Sequence, residues 1–235
     1  MQRMACAGRY RRSVHPAGVF EVNDTLRITE IFFSLQGETS RMGRPTVFVR
    51  LTGCPLRCGY CDSAYAFHGG KTMPFDDIIA EIRKHPTRTV CVTGGEPLAQ
   101  KYSLAFLKRL ADEGFDVSLE TSGALAIDDV DARISRIVDI KTPGSGELAK
   151  MRWENLDAIR AGDEIKFVLC DRNDYEWARA LLQEKALTER APVLFSPVWE
   201  TLPPAELATW VLEDGLPVRM QVQLHKILWG EKPGV

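Results

Sequence analysis

The chain of 235 residues holds no run of 18 or more apolar residues. A helix that crosses a bilayer needs about 20, so no membrane-spanning helix is expected. There is no basic excess either: 30 Lys and Arg stand against 32 Asp and Glu, a net charge of −2. That argues against a generalised nucleic-acid or membrane-surface binder, while leaving room for a local patch. Internal repeats and low-complexity tracts are absent, which removes solenoids and linker-rich chains. Residues 1–20 carry Arg3, Arg9, Arg11 and Arg12, no acid and no continuous apolar core, so they do not read as a secretory signal. They read as a disordered extension over residues 1–24 or an overlong start, with a transit peptide as the alternative. A single domain is expected over 25–235. Without an export signal, the six cysteines (Cys6, Cys54, Cys58, Cys61, Cys91 and Cys170) are not expected to form a disulfide framework.

What is present is an ordinary folded composition, 45% hydrophobic and 26% charged, enough to bury roughly 70–75% of the unfolded surface. Within it, three cysteines crowd into Gly53-Cys-Pro-Leu-Arg-Cys-Gly-Tyr-Cys61, a C-x3-C-x2-C spacing. Thiolates repel one another and lose solvation when crowded, so this packing points to a metal. Structural zinc takes four protein ligands, and the fourth could come only from His68 or from distant Cys91 or Cys170. A [4Fe–4S] cluster held by three thiolates keeps one iron open to a small molecule. Gly53, Pro55 and Gly59 let backbone wrap closely around such a core.

The remainder alternates strands with helices. Strands are expected over Thr46–Thr52, Arg88–Thr93, Asp116–Thr121, Arg136–Lys141, Glu164–Leu169, Pro192–Pro197 and Val218–Leu224. Helices are expected over Pro74–His85, Ser103–Glu113, Asp174–Leu187 and Pro204–Glu213. Such alternation means an α/β fold with a parallel sheet. The chain is short for a complete eight-stranded barrel of about 250 residues. An open, partial β/α barrel of about six to seven strands is therefore expected. Small and polar residues gather at strand ends, in Thr93-Gly-Gly-Glu-Pro97, Glu120-Thr-Ser-Gly123, Lys141-Thr-Pro-Gly144 and Ser196-Pro197. Ligands of parallel α/β folds bind at such ends, and the cysteine loop follows a strand end too. Arg50 lies within the apolar strand TVFVRLT; if buried, it needs an anion, either a ligand carboxylate or a structural partner.

The cysteine triad after one strand and Gly94-Gly95-Glu96-Pro97 after the next resemble the radical S-adenosylmethionine (SAM) enzymes. More closely, Glu30-Ile-Phe-Phe-Ser-Leu-Gln36-Gly-Glu38, Phe48-Val-Arg-Leu-Thr-Gly-Cys-Pro55, Cys61-Asp-Ser63 and the closing Gln223-Leu-His-Lys226 are similar to the 7-carboxy-7-deazaguanine synthases, over roughly residues 26–235. The resemblance implies a [4Fe–4S] cluster on Cys54, Cys58 and Cys61, whose open iron is chelated by the methionine part of SAM. One-electron reduction cleaves SAM to a 5′-deoxyadenosyl radical that abstracts a substrate hydrogen. It implies that 6-carboxy-5,6,7,8-tetrahydropterin undergoes a Mg²⁺-requiring radical ring contraction with loss of ammonia, in the pathway to queuosine and other 7-deazapurines. Leu35, Gln36, Gly37, Thr93, His225 and Pro233 would contact the pterin. Gln36 and Glu38 would act in catalysis, and Arg50 would pair with the substrate carboxylate. Tyr60, Cys61, Asp62, Gly94, Gly95, Glu96, Ser122, Asp139, Lys141 and Ser196 would meet SAM, and Ser63 would offer its hydroxyl to Mg²⁺. Thr39 stands where glycine is frequent, and Ser63 where threonine is common. The resemblance also implies a homodimer, a reducing partner such as a flavodoxin and no nucleic-acid partner; an oxygen-sensitive cluster suggests the cytoplasm. Two other readings compete: an activase that places a glycyl radical on a large protein, and a zinc-stabilised module using the triad and His68.

Overall fold

The computed structural model describes residues 24–230, 232 and 234. The expected extension over 1–24 therefore lies, apart from Asp24, outside the described residues, and so does Pro233. Among the described residues the chain forms strands β1 (Thr25–Leu35), β2 (Pro45–Leu51), β3 (Lys71–Pro74), β4 (Thr89–Gly94), β5 (Asp116–Thr121), β6 (Ser135–Ile140), β7 (Glu164–Leu169), β8 (Val193–Pro197) and β9 (Arg219–Met220). The helices are α1 (Phe75–Ile82), α2 (Ser103–Asp112), α3 (Arg172–Glu184), α4 (Leu187–Arg190), α5 (Pro204–Glu213) and α6 (Leu224–Trp229). One sheet runs β3-β1-β2-β4-β5-β6-β7-β8-β9. From β2 to β9 every pairing is parallel, while β1 is antiparallel to both β2 and β3. The seven parallel strands are the expected partial barrel.

Side chains alternate along each strand with period two. On β2, Val47, Val49 and Leu51 join Ile78, Ile79 and Ile82 of α1 and Phe106, Leu107 and Leu110 of α2 in one buried cluster. Phe48 and Arg50 point the other way, into a cavity. On β7, Ile165, Phe167 and Leu169 pack with Tyr175, Ala178 and Leu182 of α3 in a second cluster, while Lys166 and Val168 face the same cavity. The apolar faces thus bind sheet to helices and leave the polar positions on the concave side.

Two expectations needed correction. The segments that form β1 and β3 were not expected as strands. β1 is mostly half-buried along its length, so its sequence shows neither strict alternation nor a continuous apolar run. The final strand, expected over Val218–Leu224, is only Arg219–Met220 long. Gln221 N still donates to Phe195 O of β8 at 3.0 Å, but pairing stops at Met220, and Leu224 opens α6 instead.

Candidate functional site

A cavity of about 600 Å³ opens at the carboxyl ends of the parallel strands. Every residue expected at the site lines it except Glu96, which lies behind the wall, and Pro233, which lies outside the described residues. Its two sides are built differently.

On one side β2 delivers the chain into the cysteine loop. Cys54, Cys58 and Cys61 are free, half-buried thiols on the cavity wall. Burial pushes all three thiols up, and Lys141 opposes this at each. The loop is held from outside: Arg57 Nη1 donates to the Cys54 and Leu56 carbonyls at 2.7 and 2.6 Å, Arg57 N donates to Glu147 Oε1 at 2.9 Å, and Gly59 N donates to Ser145 O at 3.1 Å. The Gly94–Gly95 turn presses on the loop's root. A Cβ on Gly94 would meet Leu51 O at 2.3 Å, and one on Gly95 would meet Gly53 O at 2.2 Å and Cys54 Cβ at 2.9 Å. Only glycine permits that approach.

Glu96 is wholly buried. Its carboxylate accepts from Leu98 N at 2.9 Å, Thr121 Oγ1 at 2.9 Å and Ser122 N at 2.6 Å. It therefore stitches the β4 turn to the end of β5, and it is not among the residues that line the cavity. Beside the thiols, Lys141 Nζ pairs with Asp139 Oδ2 at 2.7 Å. Asp139 Oδ1 and the Tyr60 hydroxyl are buried without a protein partner, and an unpartnered buried polar atom is costly unless a ligand satisfies it.

The donor set fits an iron–sulfur cluster. Among the described residues no three His, Cys, Asp or Glu side chains are grouped to hold one metal ion. Ligands of one tetrahedral zinc lie about 3.8 Å apart, given Zn–S bonds of about 2.3 Å, whereas a cubane takes one thiolate per iron. His68, Cys91 and Cys170 are not on the cavity wall, so the zinc reading has no fourth ligand there.

The opposite side is assembled from distant segments. The loop after β1 crosses to the far strands. Ser40 N donates to both carboxylate oxygens of Glu164 at 3.1 Å, Thr39 N donates to Gln221 Oε1 at 2.8 Å, and Gln221 Nε2 donates to Ser196 Oγ at 3.0 Å. Thr39 sits at φ 72°, the left-handed region that glycine enters freely. Its hydroxyl accepts from Arg41 N at 3.1 Å, which stabilises the turn that its Cβ strains. Glu38 pairs with Lys166 of β7. Gln36 folds its carbonyl back onto Gly37 N at 2.9 Å and points its amide toward Glu120. Glu120 accepts from Thr93 Oγ1 at 3.2 Å and lies 3.4 Å from Gln36 Nε2.

Arg50 donates through Nε to Glu30 Oε1 at 2.7 Å, and its guanidinium lies 5.8 Å from the rings of both Phe32 and Tyr65. Tyr65 donates to the same Glu30 oxygen at 2.7 Å. A structural partner is thus present, yet Arg50 Nη1 reaches only Ser63 Oγ, at 3.5 Å. The terminal nitrogens remain available to a carboxylate in the cavity.

The C-terminal segment covers this side. Leu224 N donates to Gly37 O at 3.0 Å. The His225 ring lies against Gly37 so closely that a Cβ there would meet Nδ1 at 2.3 Å. Burial pulls the His225 imidazole below its ordinary value, and Glu38 and Asp62 oppose that. Asp62 accepts from Ser63 Oγ at 2.9 Å and Gln223 Nε2 at 3.3 Å, with Lys226 Nζ 3.6 Å away. Burial pushes Asp62 up, and Lys226, Ser63 and Gln223 outweigh it to hold the carboxyl below its usual range.

Sequence reasoning missed Lys166 and Gln221, and assigned no role to Glu30 or Glu120 although it quoted their segments. Lys166 and Glu120 carried the same signal as Arg50: a charge inside an apolar strand. Gln221 carried none, because its meaning depends on Thr39, 182 positions away.

The pattern of the Radical SAM superfamily matches residues 48–139. A 7-carboxy-7-deazaguanine synthase of Koribacter versatilis is 46% identical over 219 residues, covering 87% of this chain and 97% of that protein. One of Chlorobaculum tepidum is 42% identical over 207 residues, covering 87% and 94%. Among solved structures, QueE from Escherichia coli superposes with a TM-score of 0.70 over 86% of this chain and 95% of that one; at 23% identity, that likeness speaks for the fold. With identity of this level over nearly the full length of its relatives, the chain belongs to the 7-carboxy-7-deazaguanine synthase family of radical SAM enzymes.

Proposed function

We propose that the protein converts 6-carboxy-5,6,7,8-tetrahydropterin to 7-carboxy-7-deazaguanine. The observation that carries this reading is one cavity with two chemically distinct sides. The same cavity wall carries three thiols, an arginine, Arg50, whose terminal nitrogens reach only Ser63 Oγ at 3.5 Å, and the carboxylates of Glu38 and Glu120. Such a wall suits a small ring that presents one carboxylate and several N–H donors.

When bound, the cluster and SAM supply a reductively generated radical that abstracts a substrate hydrogen. The chain's own groups bind and orient. Cys54, Cys58 and Cys61 hold the cluster. Tyr60 and Asp139 turn unpartnered polar atoms toward SAM, beside Lys141, Ser122 and Ser196. The backbone of Gly94 and Gly95 offers the close approach that side chains would block. Arg50 takes the pterin carboxylate, Gln36, Glu38 and Thr93 take its ring edge, and His225 closes over it. That enclosure keeps water from the reacting atoms. Ser63 supplies a hydroxyl to Mg²⁺, which binds few protein groups and leaves room for substrate oxygens. The reductant is a one-electron carrier such as a flavodoxin, and the enzyme works in the cytoplasm as a homodimer.

The test is turnover. Protein purified and reconstituted with iron and sulfide without oxygen, then given dithionite, SAM, Mg²⁺ and the pterin, is expected to form 7-carboxy-7-deazaguanine by mass. A reconstituted protein that cleaves SAM and leaves the pterin unchanged would overturn the reading.

A further inference from the structure

Two buried ion pairs in this molecule invite comparison. Arg136 and Asp163 are each about 1% exposed. The arginine spends its donors on Asp163 and on the Ile127 and Ala158 carbonyls, at 2.8 and 2.6 Å for the latter two. That pair is saturated by protein and lies off the cavity. Lys166 is different. It is the one charged residue facing inward from the middle of β7, whose outward neighbours Ile165 and Phe167 belong to the core. Its ammonium carries three donors. Among the described residues it bonds only to Glu38, on the loop that crosses from β1, and the side chain lies on the cavity wall. Burial disfavours its charge, and Glu38, Asp139 and Glu120 outweigh that and hold its pKa above the ordinary value.

Stability does not explain this pair. Replacing a buried ion pair with apolar residues is often neutral or stabilising, and the flanking positions of β7 are apolar already. What the pair does do is join the loop after β1 to β7 at the point where Glu38 enters the cavity. Resting on the function proposed above, we infer that Lys166 is a positioning residue for the pterin: its ammonium aims the Glu38 carboxylate and balances the wall that Glu38 and Glu120 share.

The test uses the reconstituted holoenzyme in wild-type form and as Lys166→Met, Lys166→Arg, Glu38→Gln and the double variant Glu38→Gln/Lys166→Met. Lys166→Met is expected to raise KM for the pterin about tenfold or more. The KM for SAM is expected to stay within about twofold, a split that general loosening of the fold does not produce. Lys166→Arg is expected to recover a large part of the lost kcat/KM, because the charge is kept. The double variant is expected to be little worse than Glu38→Gln alone, since both changes break one link. An unchanged pterin KM in Lys166→Met, or losses that multiply in the double variant, would overturn the inference. If the methionine variant fails to fold, Lys166→Gln, which keeps a polar end in the cavity, is read by the same criteria. A wild-type enzyme that makes no product sinks the functional reading and this inference together. A wild type that turns over beside an unaffected Lys166→Met sinks this inference alone.

Discussion

The two sides of the cavity were built by opposite strategies. The cysteine side is local: Cys54, Cys58 and Cys61 fall within eight consecutive residues, and the turn that braces them follows the next strand of the sheet, β4. The substrate side is long-range: Glu38 meets Lys166, Thr39 meets Gln221, and Leu224 meets Gly37. A local motif fixes a cofactor cradle by chain geometry alone. A long-range seam exists only once the sheet has curled enough to bring β1 near β7 and β9. The first side is thus suited to chemistry common to a superfamily, and the second to the choice of substrate.

The sharpest way to break the comparison is to remove a thiol. Cys58→Ala is expected to lose the cluster's absorption and to lower both SAM cleavage and pterin turnover by about 10³-fold or more. Retained cleavage would show that the cysteine side is not the cofactor cradle. Next in size is Glu96→Gln. An amide there turns a donor toward either Leu98 N or Ser122 N and leaves buried groups unpaired, at a cost of about 3 kcal/mol. Thermal unfolding is expected to fall by about 6–10 °C, whereas an unchanged melting temperature would mean that the carboxylate faces a ligand after all.

Ser63→Ala comes third. Its activity is expected to respond less to added Mg²⁺, with apparent metal affinity weakened about tenfold; an unaltered Mg²⁺ titration would remove Ser63 as a metal ligand. The smallest effect belongs to Thr39→Gly. Relief of left-handed strain, about 1 kcal/mol, is set against loss of the Arg41 N bond, also about 1 kcal/mol. Stability is expected to move by less than about 1 kcal/mol, while pterin KM rises as the seam loosens. A large drop in melting temperature with no change in KM would place Thr39 outside the substrate side.

How much was legible in the sequence follows the same division. The parallel core was readable because β4 and β8 are largely apolar runs with turn residues at their ends. The cysteine side was readable because its spacing is its geometry. β1 was not, because a half-buried hairpin strand next to a parallel sheet shows no clean period. The tail was misread because QVQL has strand-like alternation, yet pairing stops at Met220, and the Gln221 side chain joins Thr39 and Ser196. Arg50 was singled out for its charge in an apolar strand, while its structural partner Glu30 was invisible until β1 was seen to pair with β2 at that register. A SAM contact for Glu96 was expected from its neighbours in the motif; its bonds to Leu98, Thr121 and Ser122 were not legible there, because they depend on β5 lying beside β4.

The central claim is that the cavity divides into a side that cleaves SAM and a side that directs the radical to the pterin. Arg50→Ala tests it most directly, with 5′-deoxyadenosine and 7-carboxy-7-deazaguanine quantified in the same anaerobic reaction. Product formation is expected to fall about 100-fold, with cluster content at the wild-type level and SAM cleavage within about threefold of it. Loss of cluster or of SAM cleavage in step with product would contradict the division.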